Sequence, residues 1–190
     1  YPPNLQQPPL ILPFEPGKVW SFSGGPHSAW GPDGALAALD FAPSSMSSGC
    51  IESNQWATAA APGKVVRVGN GVVVLDLDGD GFEQTGWALL YMHIAERDRV
   101  ALGSFVNTGD RIGHPSCEGG VATGTHFHIA RKYNGEWILA DGPSPMVLDG
   151  WLAHAGDKPY EGTLVRDGVT VVACQCGSFE THISRTSSSP

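Results

Sequence analysis

No apolar run in this chain approaches the roughly 18–20 residues needed to cross a bilayer, because Gly, Pro or a charge interrupts every candidate. No stretch keeps a helical period for more than about two turns, and no segment repeats. Basic residues are scarce: 11 Lys and Arg stand against 19 Asp and Glu, for a formal net charge of −8. That balance argues against a nucleic-acid partner, which wants a basic face to displace counterions, and against attraction to an anionic membrane surface. No two cysteines have the C-x-x-C spacing of a structural zinc site. Met is missing from the first position, where Tyr1 stands, and no basic, apolar leader follows. The chain therefore reads as a mature or trimmed product, which says nothing against export.

What the chain has in excess is glycine and proline. Its 190 residues include 25 Gly and 15 Pro, about a fifth of the chain against a usual share of roughly 12%. Both are poor inside helices and good in turns, so the composition leans to β-structure with many loops. A hydrophobic fraction of 41% fills one domain core, and the length suits one domain with appendages. The four cysteines, Cys50, Cys117, Cys174 and Cys176, allow three two-bridge pairings. On a surface rich in Ser, Gly and Asn they read as disulfides of a secreted, extracellular protein. The long-range pair Cys50–Cys117 is the expected bridge, and a Cys174–Cys176 bond closes a tight ring.

Residues 1–17 carry Pro2, Pro3, Pro8, Pro9 and Pro13 before Pro16-Gly17. Fixed φ and missing donors make them an extended arm rather than a core strand. Val19, Trp20 and Phe22 start a strand that ends at Ser23-Gly24-Gly25-Pro26. Residues 28–56 read as a long ordered loop, the kind that carries function. Val-rich runs at 64–68 and 71–77 flank Gly69-Asn70, while Asn134-Gly135 and Asp167-Gly168 mark two further hairpins. Residues 87–94 are another strand, and 35–39 and 145–152 fit short helices. Residues 184–190 look like a flexible tail. The fold class is mainly β, an antiparallel sheet or sandwich with long loops and little helix.

Seven histidines are many for this length. His126-Phe127-His128 falls on an expected strand, where residues two apart share a face, so both imidazoles look into one site while Phe127 packs behind. Random placement gives about 0.2 such pairs, so the pair means little without its turn-rich lead-in, residues 119–124. His93 ends a different strand, and His27 leaves a turn. Asp40, between Leu39 and Phe41, is a carboxylate in apolar company and needs a cation, a metal or several donors. A catalytic zinc takes three N or O ligands and keeps one open position for water, which two histidines and one aspartate supply. Taken singly, each of these residues is more often a hydrogen-bonded histidine or a capping aspartate.

Gly120-Val-Ala-Thr-Gly-Thr-His126-Phe-His128 resembles the H-x-H signature of the lysostaphin/LytM/LasA zinc peptidases. His27 with Asp40-Phe41, Ala61-Pro62-Gly63-Lys64-Val65-Val66, Tyr91-Met-His93 and the segment 106–113 follow in that family's order. Cys117-Glu-Gly-Gly120 and the Pro-rich start are similar to the LasA, β-lytic branch. The likeness covers residues 18–140, leaving 141–183 as a C-terminal β extension packed on the core. It implies His27, Asp40 and His128 as zinc ligands, and His93 and His126 as catalytic histidines beside the metal, either able to act as the base. It implies loops walling a narrow groove, with Tyr91 and Thr125 in that groove. It also implies hydrolysis of bacterial cell-wall peptides, commonly at glycine, by a metal-activated water, in a bacteriolytic, monomeric enzyme. Thr125 stands where the family usually has Pro, Phe127 where it has Leu, and Ile129-Ala130 where it has Phe-Glu. These changes alter packing and groove shape without losing a ligand.

Asp76-Leu-Asp78-Gly-Asp80-Gly81 opens like a calcium loop, with acids at alternate positions followed by Gly. The bidentate Glu of its twelfth position is replaced by Trp87. A Ca²⁺ there stabilises the hairpin rather than catalyses, and the alternative is a solvated polar tip. His114, His154 and His182 belong to the surface or to local hydrogen bonds. Two other functions fit the same residues: an inactive cell-wall-binding or regulatory relative, and a calcium-stabilised extracellular binding module. The first typically loses a ligand, and all five positions are filled here.

Overall fold

Four two-residue turns set much of the register. Asn70-Gly71, Asn134-Gly135, Asp149-Gly150 and Asp167-Gly168 all have positive φ at both positions, the conformation whose twist matches the strands it joins. The first is one residue later than the sequence suggests, and the third is not read from it.

The structure is a computed structural model that describes residues 2–44 and 49–186. Its strands are β1 (Val19–Ser28), β2 (Leu36–Pro43), β3 (Ala57–Thr58), β4 (Gly63–Gly69), β5 (Val72–Asp76), β6 (Trp87–Met92), β7 (Phe105–Val106), β8 (Arg111–Gly113), β9 (Phe127–Tyr133), β10 (Glu136–Trp137), β11 (Val147–Leu148), β12 (Trp151–Ala155), β13 (Gly162–Arg166), β14 (Val169–Val172) and β15 (His182–Ser184). The main antiparallel sheet runs β15-β1-β2-β9-β6-β5-β4-β7, with β10 pairing β9. β11–β14 form a second sheet, and β3 pairs β8. Among the described residues no helix is long and apolar enough to cross a membrane.

Two expectations fail here. The stretch 35–39, given to a short helix inside a long loop, is the start of β2, and 145–152 is the β11–β12 hairpin. Alanine-rich Ala35-Leu36-Ala37-Ala38 has helical propensity. In place it lies between two paired strands, buried on both faces, and that packing decides the matter.

One face of the main sheet carries the core. Trp20, Phe22, Leu39, Phe41, Leu75, Leu89, Tyr91, Phe127 and Ile129 are buried together. The proline-rich arm closes over them: Leu10, Leu12 and Phe14 join this core, and Phe14 stacks on Trp20 at 5.0 Å. Ile11 N–H donates to Ala60 O at 2.9 Å, and Pro13 O accepts from Thr58 N–H at 2.8 Å. The arm is thus extended, as its prolines require, and also part of the core.

The C-terminal sheet is tied on by Arg131, a fully buried residue of β9. Its guanidinium donates to Leu139 O at 2.9 Å, Ser144 O at 2.8 Å and Pro145 O at 3.2 Å. β15 returns to the edge of the main sheet, where Ser184 pairs with Val19. The expected tail therefore starts inside a strand; residues 187–190, like Tyr1, lie outside the described residues. Cys50–Cys117 and Cys174–Cys176 are the two disulfides.

Candidate metal centre

The pleat decides what reaches the other face of the sheet. On β2, Leu39 and Phe41 enter the core, so Asp40 between them points away. Asp40 lies directly across from His128 of β9 and from Gly24 of β1. Cross-strand neighbours on one face lie about 5 Å apart at Cβ, so β2 and β9 bring the carboxylate and one imidazole together without any loop. β1 is irregular at this point, with register shifts on either side of Gly24. A Cβ on Gly24 stands 2.8 Å from Asp40 Oδ2, so only glycine lets the carboxylate sit there. Past the irregularity His27 turns in.

The three side chains meet in a small triangle. His27 Nε2 and His128 Nδ1 are 3.0 Å apart, and Asp40 Oδ1 is 3.2 Å from the first and 3.3 Å from the second. All three residues are buried. His27 Nδ1 donates to Gly25 O at 2.8 Å, and His128 Nε2 donates to Ala29 O at 3.2 Å. Each neutral imidazole has one N–H, and here it is spent on a carbonyl. Both nitrogens of the triangle are left as bare lone pairs facing a carboxylate oxygen. Asp40 Oδ1 accordingly has no hydrogen-bond partner among the described residues. Three lone-pair atoms converging in a buried site require a cation between them. A tetrahedral ion with N and O ligands at roughly 2.0–2.1 Å sets those atoms about 3.3–3.4 Å apart. The triangle has nearly that size, and the residues present fit a metal ion.

His93 and His126 complete the cluster. His93 Nδ1 donates to Glu118 O at 3.0 Å and His126 Nδ1 to Gly124 O at 2.8 Å. Their rings lie 4.5 Å apart, and His126 Nε2 faces Asp40 Oδ2 at 3.6 Å. All four histidines thus have their outer nitrogen on a backbone carbonyl and present the inner one. His93 sits at φ 64°, left-handed backbone that is uncommon for a side-chain residue. Its own carbonyl accepts both Ser116 N–H at 2.7 Å and Ser116 Oγ at 2.9 Å, which hold it there. The neighbouring Cys117 is tethered by the disulfide to Cys50.

Electrostatics separate these groups. Burial raises the cost of the Asp40 charge, but the electrostatic pull of His27 beside it, with the other imidazoles adding to it, holds its carboxyl far below the usual range. Burial lowers the His27 pKa, yet Asp40 outweighs it and the net shift is upward. His128 is shifted down, chiefly by burial. Burial and the neighbouring His126 push His93 down to about 4.

Sequence reading does not single out Tyr160 for this site. Its ring stacks on His27 at 4.1 Å, and its backbone bonds β1 on both sides of the bend: Gly25 N–H donates to Tyr160 O at 2.8 Å, and Tyr160 N–H to Pro26 O at 3.2 Å. Burial and then Asp40 raise its phenol pKa. Two groove expectations separate. Thr125 borders the cavity beside His126, where its hydroxyl accepts from Ile51 N–H at 2.9 Å. Tyr91 does not: it is fully buried in the core, its hydroxyl accepting from Ala60 N–H at 2.8 Å. On β6 the pleat gives Leu90 and Met92 to the site's side, so Tyr91 points the other way.

The carboxylates of Asp76, Asp78 and Asp80 lie within 4.8 Å of one another. Asp76 accepts from the N–H groups of Asp78, Gly79 and Gly81, and Asp80 from Phe82 N–H and Thr85 Oγ1. The loop closes on its own donors, and these bonds account for the acids. His114 is buried rather than on the surface, with Nδ1 on Gln55 O at 2.9 Å and Trp56 against its ring.

No family model matches the chain. Among curated proteins it is similar to Protease LasA of Pseudomonas aeruginosa, 27% identical over 150 residues that make up 75% of this chain and 32% of that protein. It is also similar to the β-lytic metalloendopeptidase of Lysobacter enzymogenes, 22% identical over 153 residues, covering 80% and 83% of the two. The chain spans only about a third of the length of LasA. In fold it matches pseudoalterin, an M23 metalloprotease from the deep sea, with a TM-score of 0.74 at 22% identity over 96% of this chain and 99% of that one. The chain thus shares the fold of an M23 metalloprotease and resembles in sequence two peptidases by name, LasA and the β-lytic metalloendopeptidase, in line with the likeness read from the motifs.

Proposed function

We propose that this chain is a secreted, monomeric zinc endopeptidase that hydrolyses peptide bonds in bacterial peptidoglycan, at glycine. The observation that carries the reading is the triangle of bare ligand atoms, His27 Nε2, Asp40 Oδ1 and His128 Nδ1, which would hold the metal. Two histidines and a carboxylate are borderline N and O donors, a set that suits Zn²⁺ with one position left open. Zinc in such a site polarises a carbonyl and lowers the pKa of a water towards neutrality.

The chain's own groups divide the proton work. His93, shifted down to about 4, is neutral at ordinary pH, and its Nε2 is free to accept a proton. His126 Nε2 faces the Asp40 carboxylate, so a proton on that nitrogen is compensated there; from it His126 donates to the developing oxyanion or the leaving amine. The carbonyls of Gly25 and Ala29 hold both ligand histidines from the far side. Removing side chains from the substrate lets its backbone approach this buried cluster, which favours glycine.

The test is metal analysis of protein purified without added zinc, with digestion of oligoglycine and stem-peptide substrates followed by product mass analysis. About one zinc per chain and cleavage at glycine that phenanthroline stops are expected. Undiminished lysis under chelation rules the mechanism out, and calcium alone, with no cleavage, favours a binding module.

A further inference from the structure

A cavity of about 350 Å³ opens from the metal centre along β1 towards the C-terminal extension. Its lining includes Asp40 and Gly124 at one end, Ser21, Ser23 and Ala42 along the floor, and Cys174 in the far wall. Ser21 and Ser23 alternate with core residues Trp20 and Phe22, so both hydroxyls face the cavity side. Both hydroxyl oxygens are buried and have no hydrogen-bond partner among the described residues. Buried polar atoms in native proteins are almost always paired, and one without a partner calls for a ligand or water. The wall is secured between them: Cys174 N–H donates to Phe22 O at 3.2 Å, and Cys176 N–H donates to Cys174 Sγ at 3.1 Å in the bonded pair.

We propose that Ser21, Ser23 and the Cys174–Cys176 turn form a substrate subsite that binds the backbone of an extended, uncharged peptide segment on one side of the cleaved bond. This rests on the peptidase reading. Three features specify the occupant. Hydroxyls two residues apart on a strand are spaced by about 6.6 Å, the repeat at which an extended peptide presents successive groups on one edge. Ala42, Gly49, Gly124 and Gly177 leave gaps in a lining otherwise of uncharged residues such as Thr123 and Gln175, which suits close approach of a backbone. Among the described residues Asp40 is its single charged residue besides the histidine His126, and no described Lys or Arg lines it, so a carboxylate in the segment finds no cation there. The extension beyond residue 140 thereby acts as a specificity element.

The experiment is a cycle on the zinc-loaded full chain. Peptides extended or truncated on either side of the scissile bond are tested against wild type, Ser21→Ala/Ser23→Ala and Cys174→Ser/Cys176→Ser, with metal content measured alongside. For the extended peptide each lost hydroxyl raises KM about 2- to 10-fold with kcat nearly held. Hydroxyl removal and peptide truncation on that side are non-additive. A Glu placed in the segment lowers kcat/KM in wild type. Equal, additive losses on every peptide, or unchanged KM in both variants, overturn the subsite. If wild type cleaves no peptide, the peptidase reading fails by itself. Calorimetric titration with the uncleaved extended peptide then decides the subsite: weaker binding to Ser21→Ala/Ser23→Ala upholds it, and equal or no binding rejects it.

Discussion

His27 Nε2 and His128 Nδ1 lie 3.0 Å apart with no hydrogen between them, because each ring has its N–H on a backbone carbonyl, Gly25 O and Ala29 O. Two neutral acceptors at that separation repel, and Asp40 Oδ1 adds a third. The site is thus stable only with a positive charge at its centre, and that condition generates the first predictions.

Asp40→Ala and His128→Ala should lose bound metal, whereas His93→Ala should keep it and lose about 10²- to 10⁴-fold in turnover. Metal content by mass spectrometry and kcat on one peptide check both halves. Loss of metal from His93→Ala contradicts the division of roles.

Gly24→Ala should lower metal affinity about 10- to 100-fold, the usual cost of disturbing a group that orients a ligand. Its Cβ stands 2.8 Å from Asp40 Oδ2 and 3.1 Å from Asp40 Cβ, so the carboxylate must move. Competition with a zinc chelator measures it.

In the metal-free protein the His93 contribution to stability should fall as pH drops from about 6.5 towards 4, opposite in sign to that of His27, whose pKa is raised. Folding holds the His93 pKa near 4, below the unfolded value of about 6.5. Within that window the unfolded chain binds a proton that the folded chain refuses, so stability rises with pH there. The contribution is about 2–4 kcal/mol, and His93→Gln should remove it. Urea unfolding of the chelator-treated pair at pH 4.5 and 7 tests the sign. A wild-type-to-variant difference that does not change with pH refutes it.

Arg131→Met should destabilise the fold by about 3 kcal/mol or more, since one buried and two part-buried carbonyls lose a charged donor. Denaturant unfolding gives the value. The C-terminal sheet should become the first region to exchange its amide hydrogens.

The residues proposed to hold the metal were legible because they sit on strands. His126-Phe127-His128 alternates as a strand must, and Asp40 between Leu39 and Phe41 announces a carboxylate forced away from a core. The Asx-Gly turns and the mainly β class follow from the same local rules. Ala35–Leu39 misled because alanine reports helix propensity while burial on both faces is a property of neighbours absent from the local stretch. Tyr91 misled for the related reason that the parity of β6, set by its pairing with β9, decides which residues look into the site.

By itself, then, the sequence determined the strand alternation, the turns and the identity of the residues able to bind a metal, all of which depend on near neighbours along the chain. Only the tertiary structure decided which nitrogen of each histidine points inward, that Tyr160 from the C-terminal extension covers His27, and that Ser21 and Ser23 line a cavity beside the site. Those depend on carbonyls, rings and walls brought from far along the chain, and no local pattern encodes the distance between them.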